Sequence, residues 1–204
     1  MTDIMQTAKI SSSLQVGGLS FLSSVERSAE GQISQVVPLP AGIAGAVSSG
    51  GVDGLAEGHG LVQNDVINVH WTVGDVPMCR RGVTVDGATA TAVTFDNSPA
   101  AEGDALPAED TEVVVSKQVP IITAFAGNDV LMIGIESTQT AFADFRATGA
   151  SVLAKSLPAG EAWSWWTGLA TNPMAGGAVA KVVASNGSTT AATLSLGVLY
   201  NSVA

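Results

Sequence analysis

The two histidines are the residues of this 204-residue chain best suited to catalysis or metal binding, and both lie in one stretch, GHGLVQNDVINVHW. His59 lies between two glycines, and His70 follows within an alternating run, with Asp65 the only acidic residue between them. Zinc sites use histidines at spacings such as i and i+4, or cysteine and carboxylate partners close by. Two ligands so far apart cannot close such a site. We therefore expect both histidines to be structural, and we expect no metal or other cofactor.

Motifs for nucleophilic catalysis and phosphate binding are also missing from the sequence. Serine is abundant, but there is no GxSxG elbow, and any triad would need one of the two histidines. The glycine-rich runs VGGLS, SSGGVDG and AGGAV lack the following Lys-Ser/Thr of a phosphate loop. The chain is accordingly not expected to be an enzyme or to bind a nucleotide.

A group of acidic residues could bind a hard cation such as calcium. Its members are Glu102, Asp104, Glu109, Asp110 and Glu112. They lack the alternating spacing of an EF-hand loop, and acidic segments of this kind commonly keep a sheet edge soluble. The favoured interpretation is a solvated acidic loop over 95–111, with cation binding as the alternative.

Charge and cysteine content limit the partners and the compartment. The net charge is −10, and residues 51–118 carry −8 of it, from eleven acidic and three basic residues. Binding to nucleic acid or an anionic membrane requires clustered Lys and Arg, so neither is expected. A single cysteine, Cys79, excludes an internal disulfide. The start, MTDIMQTAKISSS, lacks the pattern of a signal peptide, which predicts assembly in a reducing cytoplasm.

Three of the four tryptophans fall within LPAGEAWSWWTGLATNP. On a strand, Trp163 and Trp165 point to one face and Trp166 to the other. Such rings pack in a core, fill the centre of a subunit interface or, when exposed, stack on sugars. No ring of Asn, Asp and Arg partners flanks them, which favours a core or an interface over a sugar platform.

The elements that must position these residues are predicted to be β-strands throughout. Hydrophobic residues recur with a period of two, as in ATLSLGVLY and DVINVHW, where Ile67, Val69 and Trp71 share a face. The runs DVLMIGIES and GGAVAKVVAS are continuously apolar, as expected of strands covered on both faces. Asn186 and Gly187 predict a hairpin with a type I′ turn.

Charge and strand spacing predict two units. Residues 1–50 and 119–204 are expected to form one antiparallel β-sandwich, because neither part has enough strands to close a core alone. An acidic, barrel-like β-unit over 51–118 is inserted into it. The predicted fold class is therefore all-β.

The stretch that holds the histidines resembles a pattern in small β-barrel modules of tailed-bacteriophage structural proteins: His-Gly-Leu, a spacer, Gly-Asp and an apolar strand. Here His59 and Gly60 open a hairpin, and Asn64 replaces the usual glycine before Asp65; asparagine also tolerates positive φ. Residues 172–200 are similar to terminal β-sandwiches of prophage virion proteins.

The resemblance implies a building block of a phage particle, located in the virion. The preferred role is a capsid decoration protein that self-associates and contacts the major capsid protein. A tail-tube or tail-associated subunit, and a glycan- or receptor-binding module, are the alternatives.

Overall fold

A computed structural model describes residues 13–16, 19–22, 31–95, 101–126, 129–147, 150–166 and 179–201. Every regular element in these ranges is a strand, and the prediction of an all-β chain with a sandwich and a barrel-like unit is confirmed. The strands are β1 (Ser13–Val16), β2 (Leu19–Leu22), β3 (Gly31–Leu39), β4 (Ile43–Ser48), β5 (Gly51–Asp53), β6 (Val66–Val73), β7 (Val76–Ala88), β8 (Ala92–Phe95), β9 (Glu102–Gly103), β10 (Glu112–Lys117), β11 (Val119–Ala126), β12 (Asp129–Ser137), β13 (Ala141–Ala147), β14 (Ala150–Leu157), β15 (Ala162–Trp166), β16 (Val179–Asn186) and β17 (Ala192–Asn201). None of the described residues belongs to a helix that could span a membrane.

The sandwich consists of two four-stranded antiparallel sheets, ordered β11-β16-β13-β14 and β15-β12-β17-β3. Alternate residues of both sheets meet in one core, which includes Ile135, Phe145, Val182, Leu194 and Leu196. Since β3 precedes the barrel in sequence and pairs with the last strand, β17, the sandwich contains chain from both sides of the insertion.

The barrel is closed by six strands in the order β6-β10-β4-β5-β8-β7, with β7 pairing back to β6. The short strand β9 adds to β7. Its core contains the predicted buried face of β6, namely Ile67, Val69 and Trp71, together with apolar residues of the other strands. Because β6 pairs with both β10 and β7, the six-strand order closes on itself.

The barrel starts earlier than the sequence predicted. Strand β4 pairs with β10 and β5, so residues 43–48 belong to the barrel, although the predicted boundary lay at residue 51. The run SSGGVDG contains the end of β4, the tight turn at Ser49 and Gly50, and strand β5, with Gly50 at φ 88°. At the other end, β10 ends at Lys117 and the sandwich strand β11 begins at Val119.

The barrel packs against the outer face of one sandwich sheet. In β13, Ala141, Ala143 and Phe145 point into the sandwich core, while Phe142 and Asp144 point the other way and are nevertheless buried. In β16 the last seven residues are buried at all but one position, as the apolar run GGAVAKVVAS predicted. Strands β13 and β16 are thus covered on both faces, and the second cover is the barrel.

Candidate functional site: the junction of barrel and sandwich

His59 is a structural residue of the loop before β6. The Leu61 amide donates to His59 Nδ1 at 3.0 Å, so Nε2 carries the proton and donates to the Thr89 carbonyl at 2.9 Å. The flanking glycines adopt positive φ, 74° at Gly58 and 71° at Gly60. Because both ring nitrogens are occupied, the ring fixes this loop to the chain between β7 and β8.

The turn that follows contains Asn64 at φ 70°, a left-handed conformation that asparagine tolerates better than most residues. Its neighbour Asp65 accepts a hydrogen bond from the Val62 amide at 2.8 Å and forms an ion pair with Lys117 Nζ at 2.8 Å. Burial acts to raise the pKa of Asp65, but these two partners outweigh it and the pKa lies below its ordinary value. Asp65 thus connects the start of β6 to the end of β10.

His70 lies in the junction, on the face of β6 that points away from the barrel core, and is only 4% exposed. Its Nε2 is 2.9 Å from Ser185 Oγ in the sandwich and 3.3 Å from Ser116 Oγ in β10. Asn68 Nδ2 donates to the same Ser185 oxygen at 2.7 Å. Three elements from both units therefore meet at one imidazole.

The hydrogen bonds around Ser185 are compatible with a neutral His70 that is protonated on Nδ1. Ser185 Oγ accepts a hydrogen bond from Asn68 Nδ2 and has its own proton to donate to His70 Nε2. In that arrangement the ring proton resides on Nδ1, whereas a ring protonated on Nε2 would donate to the same hydroxyl oxygen. Burial lowers the pKa of His70 from 6.5 to about 4, so the ring is neutral at neutral pH.

The His70–Ser185 pair has the residue types of a nucleophile and base, but not the access. Ser185 is 0% exposed, and Ser116 is 6% exposed. A substrate cannot reach either hydroxyl without separation of the barrel from the sandwich. The geometry supports a structural bond across the junction.

A second polar cluster joins the same two units through charged groups. Asp144 of β13 is 0% exposed and receives Arg146 Nη2 at 2.7 Å and Nε at 2.9 Å. Arg81 of the barrel pairs with Glu102 of β9 at 3.2 Å and lies over the Phe142 ring at 5.3 Å. Arg146 also approaches Glu102, at 3.6 Å. Charges from both units therefore alternate in sign across the junction.

A β-bulge in β7 places Arg81 at the junction. The register between β6 and β7 shifts between Ile67 and Val69, and Gly82 adopts φ 68°. Glycine at positive φ is the signature of a bulge that redirects the neighbouring side chain. Asn68 Oδ1 accepts the Gly82 amide at 3.0 Å and fixes the bulge.

Two of the five acidic residues named as possible cation ligands, Glu102 and Asp104, have partners within the protein. Besides the Arg81 ion pair of Glu102, Asp104 Oδ2 accepts the Cys79 amide at 3.0 Å. Among the described residues, no three His, Cys, Asp or Glu side chains are placed to hold a metal ion. Within the predicted solvated loop, two residues form a short strand, Glu102–Gly103. The thiol of Cys79 is buried, which raises its pKa well above the ordinary value.

Trp163 packs partly buried against the sandwich core, and Lys155 Nζ lies 5.8 Å from its ring centroid. The Trp163 ring therefore packs at the edge of the sandwich core, and the Lys155 side chain lies over it. The backbone of β15 pairs with β12, with Trp165 opposite Ile133 and Trp166 opposite Met132. The side chains of Trp165 and Trp166 lie outside the described part of the structure.

The predicted type I′ turn at Asn186–Gly187 is wrong. Neither residue has positive φ, because β16 continues through Asn186 and the connection to β17 is longer. Asn186 Nδ2 donates to the carbonyls of Pro40 and Thr190, each at 2.9 Å, and its Oδ1 accepts the Ser188 amide. Asn186 thus organises the loop that overhangs the barrel.

An open groove of about 880 Å³ runs along the junction beside His70. Its floor is the outer surface of β4, β6 and β10, and its wall is the sandwich loops at Thr140 and 187–189. The small residues of β4 leave it concave. Its lining is Ala44, Gly45, Ala46, Gly54, His70, Trp71, Thr72, Thr111, Glu112, Val113, Val114, Thr140, Gly187 and Thr189.

No family model, curated protein or solved structure matches the chain. The functional proposals below therefore stand on the geometry of the described residues and on the sequence.

Proposed function

We propose that the protein is a structural subunit of a tailed-bacteriophage particle, most specifically a capsid decoration protein. In this role it stabilises the shell by packing against copies of itself and against the major capsid protein. The sequence resemblance supports the phage assignment. The geometry of the barrel supports the mode of action.

The observation that carries the proposal is an exposed apolar pair at the end of the β6–β7 hairpin. Val73 and Val76 face each other across a two-residue turn and are 61% and 58% exposed. Single exposed apolar residues are ordinary, but a paired apolar tip on a closed barrel presents a contact surface. Val36, 60% exposed, lies on the edge strand β3 and offers a second contact.

The contacts at the junction hold the barrel in place on the sandwich. Buried polar and charged groups require specific partners, so the barrel has one favourable orientation on the sandwich. The barrel, held in this way, presents the tip of its β6–β7 hairpin at a fixed position, which suits a repeating lattice of subunits. The acidic barrel, as a projecting unit, favours decoration of a shell over the tail tube.

The oligomeric state tests the proposal. The purified full chain is expected to form closed oligomers in light scattering coupled to size exclusion, and Val73→Asp with Val76→Asp is expected to shift it toward monomer. Val62→Asp, at another exposed valine of the barrel, is the matched control and should leave the mass unchanged. A protein that remains monomeric at every concentration and binds no capsid protein would contradict the proposal. Stacked rings or tubes would favour the tail-tube alternative.

A further inference from the structure

We propose that the groove at the junction is a binding site for a neutral saccharide, with His70 Nδ1 as a hydrogen-bond donor to it. The inference does not depend on whether the protein is a capsid subunit. The groove volume of about 880 Å³ falls in the range of small-molecule sites.

His70 provides the first argument. Its Nε2 is occupied by Ser185 and Ser116, and when Ser185 donates to Nε2 the ring proton lies on Nδ1. Within the described part of the chain, Nδ1 has no hydrogen-bond partner. It lies beside Gly187, where an added Cβ would be 3.0 Å from Nδ1, and both residues line the groove. The absence of a side chain at Gly187 leaves Nδ1 a route to a ligand oxygen.

The charges and hydroxyls of the lining define the ligand class. Glu112 is the only charged residue among the described lining residues, so no Lys or Arg is present to hold a phosphate, sulfate or carboxylate. The other polar side chains are hydroxyls, from Thr72, Thr111, Thr140 and Thr189. Hydroxyls, one carboxylate and an imidazole N–H together match the alternating donors and acceptors of a neutral sugar.

Strand pairing argues against an extended peptide as the ligand. A peptide gains affinity by adding a strand to a free sheet edge. The three strands that form the floor each have a partner on both sides: β4 between β5 and β10, β10 between β4 and β6, and β6 between β10 and β7. Recognition must therefore use side chains.

The expected affinity is weak. Trp71 is 7% exposed, so its ring cannot serve as a stacking platform for a sugar. Without stacking, a few solvent-competed hydrogen bonds give dissociation constants on the order of 1–10 mM.

Nuclear magnetic resonance of the full chain with ¹⁵N-labelled histidine tests the proposal. Glucose, galactose, N-acetylglucosamine, maltose and cellobiose are each titrated, with glucuronic acid and sialyllactose as anionic comparisons. At least one neutral sugar is expected to shift His70 Nδ1 in a saturable manner, while His59 stays constant. The anionic sugars are expected to bind more weakly than their neutral counterparts.

Variants at the rim connect binding to the groove without disturbing the junction. Thr72→Val and Glu112→Gln change exposed side chains and should each weaken binding about fivefold, as expected for one lost hydrogen bond. Thr123→Val, at an exposed threonine of β11, is the matched control and should bind as the unmodified chain does. The proposal is overturned if no neutral sugar of the panel shifts His70, or if both rim variants bind unchanged.

Discussion

Acid should destabilise the protein through His70, because the native state resists protonation of this ring. The ordinary pKa of histidine is 6.5, and burial in the junction lowers the pKa of His70 to about 4. Between these values the unfolded chain binds a proton at this residue and the native chain does not. Proton uptake then favours unfolding, so the contribution of His70 is complete above pH 6.5 and is lost as the pH falls toward 4.

The magnitude follows from the two pKa values. A difference of one pKa unit corresponds to 1.36 kcal/mol, so the full loss is about 3 kcal/mol. At pH 5, where ordinary Asp and Glu side chains are still largely ionised, about 2 kcal/mol should already be lost. For a chain of this size that is a large part of the total stability.

Urea unfolding at pH 7 and at pH 5 measures this loss. His70→Gln removes the titrating group and retains a hydrogen-bond acceptor for Ser185, so its unfolding free energy should fall by about 2 kcal/mol less than that of the unmodified chain over this interval. Equal pH dependence in the unmodified chain and His70→Gln would refute the reasoning, as would a native His70 that titrates near 6.5.

Three further substitutions test the junction and its turns. Arg146→Met removes the closest cation from the buried Asp144 carboxylate. It should lower the unfolding free energy by about 3 kcal/mol, measured by chemical denaturation. A loss below about 1 kcal/mol would show that the pair does not stabilise the junction. Gly82→Ala forces a Cβ into positive φ and should cost about 1–2 kcal/mol in the same assay, and an unchanged midpoint would argue against the bulge. Asn64→Gly should change the unfolding free energy by no more than about 0.5 kcal/mol, because glycine also tolerates the positive φ of this position. Asn64→Val should lower the melting temperature, because valine does not. A valine variant more stable than the glycine variant would contradict the left-handed turn.

The inward faces of the strands could be predicted from the sequence, because a period of two reports one buried side directly. Ile67, Val69 and Trp71 were recognised in this way and lie in the barrel core. The same pattern assigned Asn68 and His70 to the opposite face, where polar residues normally meet solvent. It could not show that this face is buried.

The junction could not be predicted because its partners are far apart in sequence. Ser185 is separated from His70 by 115 positions, and neither residue has a motif that marks the other. Arg81 and Asp144 were unremarkable surface charges by type, and only the bulge at Gly82 and the packing of two sheets bring them together. A sequence signal did exist in the continuous apolar run before Ser185, which indicated a strand covered on both faces.

The conformation of a turn could be predicted from the sequence only where residues within that turn determine it. The left-handed conformation of Asn64 follows from its place in a tight turn. Asn186 is also followed by glycine, yet β16 continues through Asn186, whose side chain donates to the distant Pro40 carbonyl and to the nearby Thr190 carbonyl. One long-range hydrogen bond thus acts together with local ones at the position expected to turn.

Electron microscopy of the native assembly tests the central claim most directly. A capsid decoration protein should appear as repeated density at symmetry-related positions on a shell, with the barrel hairpin that carries Val73 and Val76 at a contact between subunits. Isolated single copies, with that hairpin in solvent and no particle bound, would contradict the account.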